Sequence, residues 1–386
     1  MTNNIINYRK MMTGMLAAVM VAGSCFTAYA DTPVIGAGMS GRQSSGPGVS
    51  GAGTGTALPE RTDYFKAQVA NPVVVPTEKY SYEEMVQDLK ALQERYGSDR
   101  LRTRVIGTSL DGREIYEAVI GNENAEDHIL ITAGMHAREY MMPLLVMKQL
   151  EYGLEFASTG TYEGVPLSRL LDQVAIHYVP MVNPDGITVS QFGVGAIRSK
   201  ELRQVIRQSY ADDVACGYTT ATFEQYQTFW KGNARGVDLN LNFPADWALV
   251  ESREKPSFVN YRGTSALSEP ESQTLAGLVN ERMWKASISF HSMGNVIYWD
   301  NAKSSVSQWS GELAQMVSAS NGYHTAAGGS GRGGFNDWTQ SISRPIPGMT
   351  IEVGTVACPL PFDQWTDAWY RNKMVWAAVA KYVTEH

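Results

Sequence analysis

Apolar residues recur along this chain in two rhythms. At Met85, Leu89 and Leu92 they keep the spacing of a helix with one buried face, and Ser81 stands where a side chain caps the first turn. The pattern predicts a helix from 82 to about 96, and further helices at 143–157, 165–174, 269–283, 306–320 and 363–384. Elsewhere the apolar residues run together in short stretches, as in His128-Ile129-Leu130-Ile131-Thr132-Ala133. Such runs predict strands at 101–106, 114–120, 128–133, 175–182, 285–291, 295–299 and 348–353, the first two joined through the turn Asp111-Gly112. Strands apolar on both faces, alternating with helices, indicate an α/β domain on a mainly parallel or mixed sheet. The stretch from 187 to about 229 is weakly patterned and reads as an inserted loop–helix element. The chain shows no internal repeat.

The amino-terminal part follows different rules. Arg9 and Lys10 precede an apolar run from Met11 to Phe26, and Ala28-Tyr29-Ala30 has the small-residue form of a cleavage site. Residues 1–30 are therefore expected to be an export signal, with Asp31 the first mature residue. The run is short for a membrane span, so no stable span is expected after cleavage. A lipid anchor on Cys25 is a minor alternative. Residues 31 to about 57 are rich in Gly, Ser and Pro and read as a flexible linker, with a lead-in to 76. The folded catalytic unit is expected at 77–386. Export allows Cys216 and Cys358 to pair, although two free thiols fit equally well.

Composition narrows the partners. A net charge of −7 and 18% charged residues, with no long basic run, argue against nucleic acid or an anionic membrane surface.

Candidate chemistry lies at the ends of the predicted strands. Of the six histidines, His136 follows the run 128–133 and His291 closes the run 286–290. The carboxyl ends of strands in open α/β sheets are where ligands gather. Glu139 lies three residues beyond His136, close enough to face the same ion. Two His and one carboxylate leave a fourth zinc position for water, the catalytic rather than the structural pattern, and zinc lowers that water's pKa from about 15.7 towards 7. Glu352, alone among apolar neighbours in Met349-Thr350-Ile351-Glu352-Val353, is a candidate base for that water. Asp238 is a candidate partner for the free ring nitrogen of a metal-binding His. Each element alone has a plainer reading: a surface His-x-x-Glu pair, a structural His, a salt-bridged acid.

Five stretches occur in order: Gly134-Met135-His136-Ala137-Arg138-Glu139, Asn183-Pro184-Asp185-Gly186, Gly236-Val237-Asp238-Leu239-Asn240-Leu241-Asn242-Phe243, Phe290-His291-Ser292 and Thr350-Ile351-Glu352-Val353-Gly354. Together they resemble the zinc carboxypeptidase A-like peptidases, over about 80–386. The resemblance implies an α/β/α sandwich on a mixed, about eight-stranded sheet and one zinc per chain. It implies His136, Glu139 and His291 as zinc ligands, Glu352 as general base and Asp238 as the partner of His136. It also draws Asn240, Tyr323, Arg332 and Asp337 towards the substrate. Three positions depart from the family pattern. Leu241 replaces an Arg that clamps the substrate's terminal carboxylate. Lys231 follows Trp230 where an Arg usually polarises the scissile carbonyl, and Arg235 is nearby, so either reads as the electrophile. Tyr323 precedes a Gly-Gly-Ser as the family's mobile Tyr does, whereas counting back from Asp337-Trp338 puts a Gly in that place.

The stretches 230–238 and 333–338 resemble a bacterial branch that includes γ-D-glutamyl-diaminopimelate peptidases. The expectation is a secreted or wall-associated metallopeptidase acting on peptides or muropeptides, with Arg332 in the glycine-rich loop 328–334 as a carboxylate contact. The alternatives are an ordinary metallocarboxypeptidase and, more remotely, a non-catalytic binding module.

Overall fold

The computed structural model describes residues 67–301, 303–327 and 332–386. The expected export signal, the whole of the linker, the lead-in up to 66 and residues 328–331 of the glycine-rich loop lie outside these. The described chain is already packed before position 77. Val74 is fully buried, and its carbonyl accepts from Lys148 Nζ at 2.8 Å.

Helix α1 (Tyr82–Tyr96) starts with a capping box: Ser81 Oγ accepts from Glu84 N–H at 3.1 Å, and the Glu84 carboxylate accepts from Ser81 N–H at 2.8 Å. Its Met85, Leu89 and Leu92 are buried, as their spacing predicts. The chain continues through β1 (Arg102–Thr108), β2 (Glu114–Gly121), β3 (Asp127–Ala133) and α2 (Met141–Phe156). A small ladder of β4 (Thr161–Tyr162) and β5 (Val165–Pro166) leads to α3 (Leu167–Gln173) and β6 (Val174–Val179). The weakly patterned stretch is helical: α4 (Pro184–Phe192), α5 (Lys200–Ala215) and α6 (Phe223–Thr228). Then follow α7 (Pro270–Asn280), β7 (Ala286–His291), β8 (Val296–Tyr298), α8 (Ser307–Asn321), β9 (His324–Ala326), α9 (Phe335–Thr339) and β10 (Gly348–Glu352).

The helix predicted over 363–384 is two helices, α10 (Trp365–Asn372) and α11 (Val375–Glu385). The break falls beside Asn372, which is fully buried and donates to Tyr323 Oη at 2.9 Å. This anchor, with Asn321 Nδ2 of α8 donating to Asn372 Oδ1 at 3.3 Å, holds the end of α10 beside α8 while α11 turns its apolar face onto the sheet. Periodicity cannot register such a break, because both halves keep helical spacing.

Eight strands form one mixed sheet in the order β1-β2-β6-β3-β7-β10-β8-β9. β6, β3, β7 and β10 run parallel, and β2 and β8 flank them antiparallel. Alternation along β3 splits the core. Ile129, Ile131 and Ala133 pack with side chains of α2 and α11, while Leu130 faces the opposite layer with Leu275 and Leu278 of α7 and Trp338 of α9. The architecture is the expected α/β/α sandwich. Parallel β3, β7 and β10 bring their carboxyl ends to one edge, with the Gly134–Glu139 loop, His291 and Glu352.

Candidate metal centre

Local geometry sets the site before any ion is considered. Gly134 ends β3 with φ +66°, and a Cβ there would come within 2.9 Å of Ile187 and Pro143 side chains. The loop beyond is stapled. Asn183 Nδ2 donates to the carbonyls of Met135 and Gly232, both at 3.1 Å, and Ala137 N–H donates to Lys231 O at 3.0 Å. These bonds lock the segment carrying His136 and Glu139 to the segment carrying Lys231 and Asp238. His291 and Glu352 end adjacent parallel strands, directly paired in register.

Three donor groups close on one point. His136 Nδ1 lies 2.8 Å from Glu139 Oε1, His291 Nδ1 lies 3.0 Å from Glu139 Oε2, and the two ring nitrogens are 3.1 Å apart. All three residues are buried. Two imidazole lone pairs this close repel unless a proton or cation lies between them. The three separations approach the roughly 3.3 Å edge of a tetrahedron with about 2 Å zinc–ligand bonds. Among the described residues, no other three His, Cys, Asp or Glu gather this way. The donor set therefore fits zinc.

Asp238, fully buried, sits behind the cluster. Its Oδ1 is 3.2 Å from His136 Nε2, and its Oδ2 is 2.8 Å from Lys231 Nζ. The charges are mutually set. Burial opposes ionisation of Glu139, yet His136 and His291 hold its pKa well below the usual carboxylate range. Burial likewise opposes the Asp238 carboxylate, but Lys231 and His136 pull its pKa far down. Burial disfavours charged His136, but Glu139 and Asp238 lift its pKa above the ordinary imidazole value. Glu352 is pushed up to about 7, first by burial and then by the Glu139 charge. It nonetheless keeps a partly exposed face.

The structure sorts the remaining candidates. Of the two possible electrophiles, Lys231 joins the cluster through Asp238, whereas Arg235 is 45% exposed and faces Glu269 at 3.4 Å. Asn240 Oδ1 accepts from Phe335 N–H at 2.9 Å. Asp337 stands in the first turn of α9 with its carboxyl under Gly334, and burial pushes its pKa up to about 7. Arg332 is exposed and donates to Leu249 O at 3.1 Å. Tyr323 is a correction. It is 2% exposed, its hydroxyl accepts from Asn372 and its carbonyl accepts from Ser318 Oγ, so it is a core residue rather than a mobile cover. Resemblance to a motif favoured it, while burial and the bond from Asn372 of α10 claim the side chain for the core.

One group went unassigned from the sequence. Arg138 lies between the two ligands of the first motif; its Nε is buried without a hydrogen-bond partner, and its charge acts on Glu352 and Cys358. Its position inside that motif was the available signal. Cys216 and Cys358 are both free.

Residues 85–356 match the zinc carboxypeptidase family, and the chain belongs to it as a zinc metallopeptidase. It is 31% identical over 294 residues to gamma-D-glutamyl-L-diamino acid endopeptidase 1 of Lysinibacillus sphaericus, covering 75% of this chain and 69% of that protein. It is 28% identical over 284 residues to the uncharacterized protein YqgT of Bacillus subtilis (strain 168), covering 72% and 71%. Among solved structures, thrombin activatable fibrinolysis inhibitor shares the fold with a TM-score of 0.63, at 20% identity over 84% of this chain and 80% of that one.

Proposed function

We propose that this chain is an exported zinc peptidase that cuts bacterial cell-wall peptides at a γ-D-glutamyl–diamino acid bond. The observation that carries the chemistry is the closure of His136, Glu139 and His291 with Glu352 on the neighbouring strand. The substrate reading rests on Leu241 and on the printed activity of the Lysinibacillus sphaericus relative. Export rests on residues 1–30.

His136, Glu139 and His291 would hold a zinc ion, which when bound would supply Lewis acidity and lower the pKa of a water from about 15.7 towards 7. Asp238 engages His136 through Nε2 and so keeps Nδ1 free for the metal. Glu352, on the strand beside His291, takes a proton from the attacking water and passes it to the leaving amine. Lys231, oriented by Asp238, offers its ammonium to the scissile carbonyl oxygen as negative charge develops. On this reading Asn240 and Arg138 bind the substrate carboxylates that a Leu at 241 cannot hold, and the unpartnered, buried Arg138 Nε supports it.

The test uses purified mature chain with its zinc measured, incubated with L-alanyl-γ-D-glutamyl-diaminopimelate and with a blocked C-terminal dipeptide. The expected result is turnover of the first and little of the second; preference for the dipeptide would establish the ordinary carboxypeptidase reading instead. Glu352→Gln should keep zinc and lose about 10²–10⁴ in rate. Full activity in that variant would remove Glu352 as the base.

A further inference from the structure

A second candidate site lies at the other end of the sheet. The segments 279–284 and 342–346 lead into the amino ends of β7 and β10, about 15 Å from the metal edge along a six-residue strand. Between them and the start of α8 is a groove of about 360 Å³. Trp284 forms its floor. Trp309 and Met283 stand on its walls, 58% and 55% exposed, among the largest exposed apolar groups of the described residues. Arg282 and Arg344 also line it, and no acidic residue does. In a chain of net charge −7 this is a local reversal of sign.

The two guanidinium groups are incompletely used. Arg344 Nη1 contacts the Met283 sulfur at 3.1 Å, a weak acceptor. Arg282 stacks 5.5 Å from the Trp284 ring and reaches Glu281, which Arg104 also holds, while its Nε is buried without a hydrogen-bond partner. We propose that this groove binds a carboxylate-bearing saccharide. Exposed indole faces stack on the apolar faces of sugar rings, and a forked guanidinium matches a carboxylate in two parallel bonds. The volume suits one or two rings. A peptide strand finds no purchase, because β7 and β10 are each paired on both sides and offer no backbone edge. The proposal is independent of which peptide bond the zinc centre cuts.

Isothermal titration of the full chain with N-acetylglucosaminyl-N-acetylmuramic acid, its lactyl carboxylate free, tests the proposal. Binding should weaken at least tenfold in Trp309→Ala and in Arg344→Gln, and chitobiose, which lacks the carboxylate, should bind at least tenfold more weakly than the acidic disaccharide. Both variants should melt like the parent and keep its peptidase rate. Absence of binding, equal binding of the two disaccharides, or displacement by a glutamate-rich tripeptide would each overturn it.

Discussion

Asp238 offers the sharpest test of how the metal site is organised. It is fully buried between His136 Nε2 at 3.2 Å and Lys231 Nζ at 2.8 Å. If it sets the tautomer and angle of the His136 ring, Asp238→Asn keeps the volume but removes the charge that holds both neighbours. Losing such a partner typically costs 10–100-fold in metal affinity, or about 1.4–2.8 kcal/mol. Turnover should fall further than occupancy explains, because Lys231 loses its orientation as well. Competition for zinc against a chromophoric chelator measures the affinity. Melting of the metal-free proteins separates a local defect from unfolding. Lys231→Met should lower turnover much more than zinc affinity, which distinguishes the two arms of the contact. A folded Asp238→Asn variant that binds zinc within twofold of the parent would refute the argument.

Three further outcomes follow from the packing. Tyr323→Phe should leave kinetic constants unchanged and cost about 1 kcal/mol in urea unfolding, since its hydroxyl serves Asn372 in the core; a large fall in turnover would restore it to the active site. Lys148→Ala should cost about 3 kcal/mol by leaving the buried Glu151 carboxylate, now 2.7 Å from Lys148 Nζ, with the Val73 N–H and no cation, and adding Glu151→Gln should recover part of that loss. Glu271 is fully buried, and its pKa is pushed up to about 8, first by burial and then by Asp185. The folded chain therefore keeps a proton that the unfolded chain releases above the ordinary glutamate range. Stability falls as pH rises through the window up to about 8. Glu271→Gln removes that slope, so its melting advantage over the parent should grow between pH 5 and pH 8, by at least about 1 kcal/mol; parallel melting curves across that range would contradict the assignment.

The chain's local pattern determined most elements here. Helix α1 was readable because Ser81, Glu84, Met85, Leu89 and Leu92 agree on one start and one face. The parallel strands were readable because burial on both faces leaves near-continuous apolar runs. His136, Glu139, His291 and Glu352 were readable because each lies in or just beyond such a run. Other assignments waited for the tertiary structure because they depend on what a side chain meets from distant segments. Lys231 rather than Arg235 faces Asp238, beside the Asn183 staple that joins two loops nearly a hundred residues apart in the chain. The break after Asn372 and the burial of Tyr323 meet in one contact between the end of α10 and the link from α8 to β9, invisible to periodicity because helical spacing continues across the break. The Trp309 groove is assembled from three segments whose spacing carries no shared motif. Local propensity and strand burial act over a few residues and leave their mark in order along the chain; orientation and partner choice are settled by packing.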